Sequence, residues 1–342
     1  MYRNKMILTL LALAALLAGG CQPIVALAPD DTQTEAARPG PRFEPSACEY
    51  SIPEWANTTC GYLVVREDRN NPDSPTIRVH VIKFRSASET PAPDPIIVIP
   101  GGPGASGPFY AWLWAAMPVG DVMRAERDVY LLETRGAMYS EPAFYCPETE
   151  ADAAERVGMG FAEEMEWLAA AYRACHDRLV AEGANFSAYG LPDFAGDVAD
   201  LRAALGIDQV NVYGVSFGTP PAMLLMRDDP AWVRSVILDS IIPPDAVFVE
   251  SLLESAAGVA QAVFAACAAD PVCEAAYPNL DAVFFDLLAQ LRQAPVPVTV
   301  TDEAGQEHVV TVDDVKFFHY VYDSTWIGDG FASLPVMVYG AA

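Results

Sequence analysis

Positive charge is scarce in this chain. Lys and Arg number 20 against 46 Asp and Glu in 342 residues, a formal net charge of −26 at neutral pH. That balance excludes a nucleic-acid binder and a basic face that docks on anionic lipid, since both need clustered cations and no basic run occurs anywhere. The acidity is read as a solvated surface that keeps an exported protein soluble. Histidine is also sparse, at four residues, and neither a Cys-x-x-Cys pair nor grouped histidines are present. No metal site is therefore expected, and no cofactor. There is no internal repeat.

What is present is apolar mass: 52% of residues, enough for one large α/β domain with an insertion. At the N-terminus, Arg3 and Lys5 precede the apolar run Met6 to Leu17, and Ala18-Gly19-Gly20 lead to Cys21. The run is too short for a permanent membrane helix and reads as an export signal over 1–20. A cysteine directly after small residues resembles a bacterial lipobox, in which Cys21 becomes the lipidated first residue and anchors the protein to the cell envelope; ordinary cleavage and secretion is the alternative. Gln22 to Pro45 is rich in Pro, Asp, Thr and Ala and reads as a flexible tether. The expected organisation is then signal (1–20), lipidated cysteine and tether (21–45), α/β core (46–244) and an incomplete lid region (245–342).

Within the core, Gly214-Val-Ser-Phe-Gly218 follows the β-branched and aromatic run Val210-Asn-Val-Tyr213 and precedes good helix formers from Ala222 to Met226. A G-x-S-x-G sequence at a strand-to-helix turn is a nucleophile elbow, with Ser216 exposed on a strained turn and a helix N-terminus beside it. Upstream, the strand Ile96-Ile-Val-Ile-Pro100 runs into Gly101-Gly-Pro-Gly104, where an oxyanion loop belongs. The expected oxyanion donors are the N–H of Phe217 and that of Gly101 or Gly102. Further strands are expected at Gly61 to Glu67, Ile77 to Phe84, Arg127 to Glu133 and Val233 to Asp239, and helices at about Glu163 to Leu179 and Asp193 to Leu205. That β-α-β alternation describes a doubly wound sheet.

Gly101-Gly-Pro-Gly104, the segment Arg127-Asp-Val-Tyr-Leu-Leu-Glu-Thr-Arg-Gly136 with Ser140-Glu-Pro142, the elbow at Ser216, and Val236-Ile-Leu-Asp-Ser240 with Pro243-Pro-Asp245 together resemble the prolyl iminopeptidase and tripeptidyl aminopeptidase group of α/β-hydrolases. The resemblance covers about residues 46 to 340. It departs at Pro100, where the group usually has His, and at Glu133-Thr134, where it usually has Asp-Gln. It implies an α/β-hydrolase fold with a mostly parallel sheet and an inserted helical lid. It also implies, with sequence proximity, the pairings Cys48–Cys60, Cys146–Cys175 and Cys267–Cys273, out of the 15 that six cysteines allow. The lid helices are expected at Glu250 to Ala268 and Leu280 to Gln293. In the resembled group, lid acids bind the α-amino group of a peptide. Glu250 and Glu254, one turn apart, could do so here, and an exposed helix face is the plainer reading.

The fold requires Ser, acid and His in chain order. Only His308 and His319 follow Ser216. The first lies in an alternating hairpin pattern and the second on an apparent helix, and both read as lid residues. Asp239 ends the strand after the nucleophile and could be an acid; the resemblance makes it structural, bonding nearby loop N–H groups. The sequence therefore looks like the first two-thirds of an exported serine hydrolase of the aminopeptidase type, with its last strands, acid and histidine wanting. The rivals are a non-catalytic lipoprotein that binds peptides or apolar ligands and, within the fold, an esterase.

Overall fold

Seven strands assemble into one sheet: β1 (Arg42–Ser46), β2 (Thr58–Arg66), β3 (Thr76–Phe84), β4 (Ile96–Ile99), β5 (Val129–Leu132), β6 (Val210–Val215) and β7 (Val233–Asp239), in the order β1-β2-β3-β5-β4-β6-β7. The computed structural model describes residues 40–52, 57–105, 107–116, 118–150, 156, 158–301, 305–324 and 330–342. The expected signal, Cys21 and most of the expected tether lie outside them. Strands β5, β4, β6 and β7 pair in parallel, while β1, β2 and β3 form an antiparallel wing joined to β5.

Strands β4 and β5, Ile96–Ile99 and Val129–Leu132, are apolar or aromatic at every position because both their faces are covered. The two-residue period of a strand sends Ile97, Ile99 and Val212 into one buried cluster and Val98 and Tyr213 into the other. Helices α4 (Leu191–Ala204) and α5 (Thr219–Asp228) cover the first through Ala195, Val198, Leu201, Ala222 and Leu225. The second is covered by Ala111 of α1 (Gly107–Ala116) and Met123 of α2 (Pro118–Met123). Helix α3 (Phe161–Ala181) precedes α4 and is tied back to the loop after β5. Among the described residues β7 pairs only with β6, and Ile237 on it is half exposed.

Beyond β7 come α6 (Phe248–Ala269), α7 (Pro271–Ala276), α8 (Leu280–Gln293), the hairpin β8–β9 (Val296–Thr301, Glu307–Val312), α9 (Asp314–Ser324) and α10 (Gly330–Ala341). They build a separate apolar cluster in which Leu280, Phe284, Leu287 and Leu291 form one helical stripe against Phe264, Phe317 and Leu334.

Three disulfides, Cys48–Cys60, Cys146–Cys175 and Cys267–Cys273, have the pairing that the resemblance implied. One expectation needs correction. Residues 42–45, assigned to the flexible tether, belong to β1, which runs antiparallel to β2 from Arg42 opposite Val64 to Ser46 opposite Cys60. Five residues containing a proline carry no alternation to announce a strand. The segment is held by its ladder and by Phe43, which packs on the first cluster, and a proline is tolerated because β1 is an edge strand.

Candidate active site

Ser216 stands where β6 ends and a single 3-10 turn, Ser216–Gly218, leads into α5. Its φ is +50°, in the left-handed region that costs a serine about 1–3 kcal/mol. Gly218 is required by close approach, because a Cβ there would stand 2.1 Å from the Ile99 carbonyl oxygen of β4. The strained turn is braced by Thr219, fully buried, whose hydroxyl donates to the Ser216 carbonyl (2.7 Å) and accepts the Ile242 N–H (3.0 Å).

The glycine loop after β4 lies against this turn. Gly102 adopts φ +116°, a conformation that glycine alone reaches cheaply. The N–H of Gly101, expected to face an oxyanion, instead donates to the Tyr110 hydroxyl at 2.9 Å, because α1 turns back over the loop that precedes it. Phe217 packs edge-on against Phe194 of α4, 5.9 Å between ring centres.

A buried carboxyl anchors the start of α1. Glu133, at the end of β5, is 2% exposed and accepts hydrogen bonds from the N–H of Gly107 (2.5 Å), the N–H of Tyr139 (3.2 Å) and the hydroxyl of Ser140 (3.4 Å). Burial outweighs these bonds and lifts its pKa from an ordinary 4.5 to about 7. His80 approaches it to 4.0 Å, but burial holds the imidazole down to about 4, so no pH charges both partners. The folded state thus holds the Glu133 proton more tightly than the unfolded chain does. Its stabilising contribution is complete below about pH 4.5 and is lost as the pH rises through 7. Replacing Glu133 by Gln is expected to flatten the pH dependence of the unfolding midpoint between pH 4.5 and 7; an unchanged slope would show that the carboxyl titrates normally.

Next along the chain, Arg135 is wholly buried. Its guanidinium makes a two-point contact with Asp197 of α4 (2.8 and 2.7 Å) and donates to the carbonyls of Glu67 (2.7 Å) and Ala188 (2.6 Å). Arg69 reaches the same Asp197 and also Asp200. The support for Arg135 thus comes from α4.

The remaining expected residues are placed as follows. Asp239 lies beside Val215 in the β6–β7 ladder and accepts the hydroxyls of Tyr213 (2.6 Å) and Ser240 (3.2 Å). These hydroxyls, reached because Tyr213 is two residues back on the neighbouring strand, replace the loop N–H groups expected as its partners. Burial and the adjacent Asp239 push the Tyr213 phenol well above its usual range, so it stays a donor. His308 is on β9 opposite Val300, and His319 is exposed on α9, 3.1 Å from Asp323. His176, also exposed, stacks on Phe186, and His80 is enclosed by Tyr50, Tyr62 and Tyr139. Among the described residues, Ser216 has no hydrogen bond with a histidine. Glu250 and Glu254 are exposed on α6 and share no hydrogen bond or ion pair with the elbow. Cys146, Glu148 and Cys175 bring their ligand atoms within 4.8 Å of one another, but the sulfurs are joined as a disulfide and Glu148 takes the Arg178 guanidinium at 2.7 Å.

A profile described as the α/β-hydrolase fold matches residues 94–273. The chain belongs to the α/β-hydrolase fold family. Among curated relatives of this α/β-hydrolase, the serine protease Hip1 of Mycobacterium tuberculosis (strain ATCC 25618 / H37Rv) is 29% identical over 270 residues, covering 75% of this chain and 50% of that protein. The tripeptidyl aminopeptidase of Streptomyces coelicolor is 28% identical over 227 residues, covering 61% and 39%. A solved proline iminopeptidase of Mycobacterium smegmatis aligns over 67% of this chain and 61% of its own, with 18% identity and a TM-score of 0.36. The chain spans about half the length of the Hip1 relative it matches. The α/β-hydrolase fold read from the motifs is borne out, and so is the likeness to tripeptidyl aminopeptidases.

Tyr110 had no place in the motif reading, and Glu133 entered it only as a departure from the usual Asp, with no role of its own. Nothing in the sequence marks Tyr110, whereas Glu133, an acid closing a wholly apolar strand, was visible as a carboxyl bound for the interior.

Proposed function

We propose that this protein is an exported serine hydrolase of the peptidase type, releasing N-terminal residues or tripeptides from peptides. Ser216 attacks the acyl carbon and the Phe217 N–H receives part of the charge that develops on the carbonyl oxygen. The observation that carries the reading is Ser216 at φ +50° between β6 and α5, braced by Thr219 beneath the glycine loop. The named activities of the relatives, serine protease and tripeptidyl aminopeptidase, favour a peptide substrate over a simple ester. The signal-like N-terminus, the lipobox-like Cys21 and three disulfides support export and a lipid anchor in a bacterial envelope. On this reading the chain alone is nearly inert, because among the described residues no imidazole is hydrogen-bonded to Ser216 to take its proton. The same observation favours a second reading, a lipoprotein that binds peptides without cleaving them.

The test joins this chain to the region of the Streptomyces coelicolor tripeptidyl aminopeptidase that the match leaves uncovered. The expected result is hydrolysis of aminoacyl and tripeptidyl 4-nitroanilides with a free amine, lost in Ser216→Ala. Equal cleavage of acetylated substrates, or cleavage that survives Ser216→Ala, would sink the aminopeptidase reading.

A further inference from the structure

The N–H of Gly101 is already engaged in the resting protein, donating to the Tyr110 hydroxyl over 2.9 Å. A phenol that accepts one hydrogen bond keeps its own hydrogen to give. Its location decides where that hydrogen is useful. The point where a Cβ on Gly101 would sit lies 2.8 Å from the Tyr110 oxygen and 3.0 Å from Ser216 Cβ, so phenol and nucleophile flank one spot. Tyr110 is carried on α1, whose first residue, Gly107, is pinned by Glu133 at 2.5 Å. The neighbouring phenol, Tyr213, commits its hydrogen to Asp239 at 2.6 Å.

We propose that the Tyr110 hydroxyl is an oxyanion donor for tetrahedral species formed at Ser216, paired with the Phe217 N–H and polarised from behind by the Gly101 N–H. The inference rests on Ser216 being the nucleophile. In the step, Ser216 Oγ forms a bond to the acyl carbon and the carbonyl π pair moves onto oxygen. The serine proton passes to solvent, and Tyr110 donates a hydrogen bond to the new oxyanion without giving up its proton. Collapse expels the leaving group with its electron pair, and water protonates it. The N–H···O–H···O⁻ chain is cooperative, each bond strengthening the next.

Because no histidine is bonded to Ser216 among the described residues, this contribution is readable. In hydrolases stripped of a triad member, the oxyanion hole and binding alone still leave about 10³- to 10⁴-fold acceleration over water. The experiment is slow phosphonylation of the full-length chain by excess fluorophosphonate, followed by mass spectrometry of the Ser216 peptide. Tyr110→Phe is expected to lower the rate about 10²- to 10³-fold, with the thermal midpoint and all three disulfides unchanged. 3-Fluorotyrosine at 110, a modestly better hydrogen-bond donor, is expected to raise it several-fold, which a spacer would not do. Labelling of Tyr110→Phe at the wild-type rate or faster, with Ser216→Ala silent, would overturn the proposal and make the phenol a mere cover for Gly101. Wild-type labelling no different from Ser216→Ala would overturn the nucleophile reading and this inference with it. Should Tyr110→Phe not fold, an unchanged rate with 3-fluorotyrosine overturns the proposal by itself.

Discussion

Exposed to a fluorophosphonate at neutral pH, the full-length chain is expected to modify Ser216 about 10⁴- to 10⁶-fold more slowly than a serine hydrolase with a complete triad. A serine hydroxyl is a poor nucleophile until a base removes its proton, and no histidine is bonded to Ser216 among the described residues. The slow product should still map to Ser216, because the elbow and the glycine loop are in place without the base. Fast labelling that disappears in Ser216→Ala and in either His308→Ala or His319→Ala would reverse the conclusion. One of those residues would then be the base, brought to the elbow by a movement of β9 or α9.

The largest loss of stability is expected from Asp197→Ala. Arg135 is fully enclosed and Asp197 is 2% exposed at its side chain, so removing the carboxylate leaves a buried guanidinium with carbonyl partners and only the more distant Asp193 carboxylate, 3.9 Å away, as countercharge. Breaking a buried pair from one side costs about 3–5 kcal/mol, read as a lower midpoint in urea at an unchanged slope. Arg69 loses the same partner, although Asp200 still holds it. The double change Arg135→Met with Asp197→Leu should cost less than the sum of the two single ones, since it leaves no orphaned charge at that pair. Strict additivity would show that the pair is not coupled in the fold.

Strands β4 and β5 were legible because a strand covered on both faces writes itself as an unbroken apolar run, as in Ile96 to Ile99. The elbow was legible because its glycines and its serine are demanded by local crowding. The contacts that tune the site were not. Arg135 finds its carboxylate 62 residues away, and Glu133 finds the Gly107 N–H 26 residues away. Neither spacing has a period that sequence could reveal. The strand β1 was missed for a related reason, since its pairing depends on a partner and not on its own five residues.

The two bonds of the Thr219 hydroxyl make it a mechanical link. One ties the carbonyl of the nucleophile, and the other ties the N–H of Ile242 in the segment that leaves β7 for α6. A displacement of that segment must either drag Thr219 along or break a 3.0 Å bond. Ser216 cannot relax from its left-handed backbone without moving the carbonyl that Thr219 holds. The tilt of the serine and the path of the chain into the helical region are thereby geared to one another through a single buried oxygen.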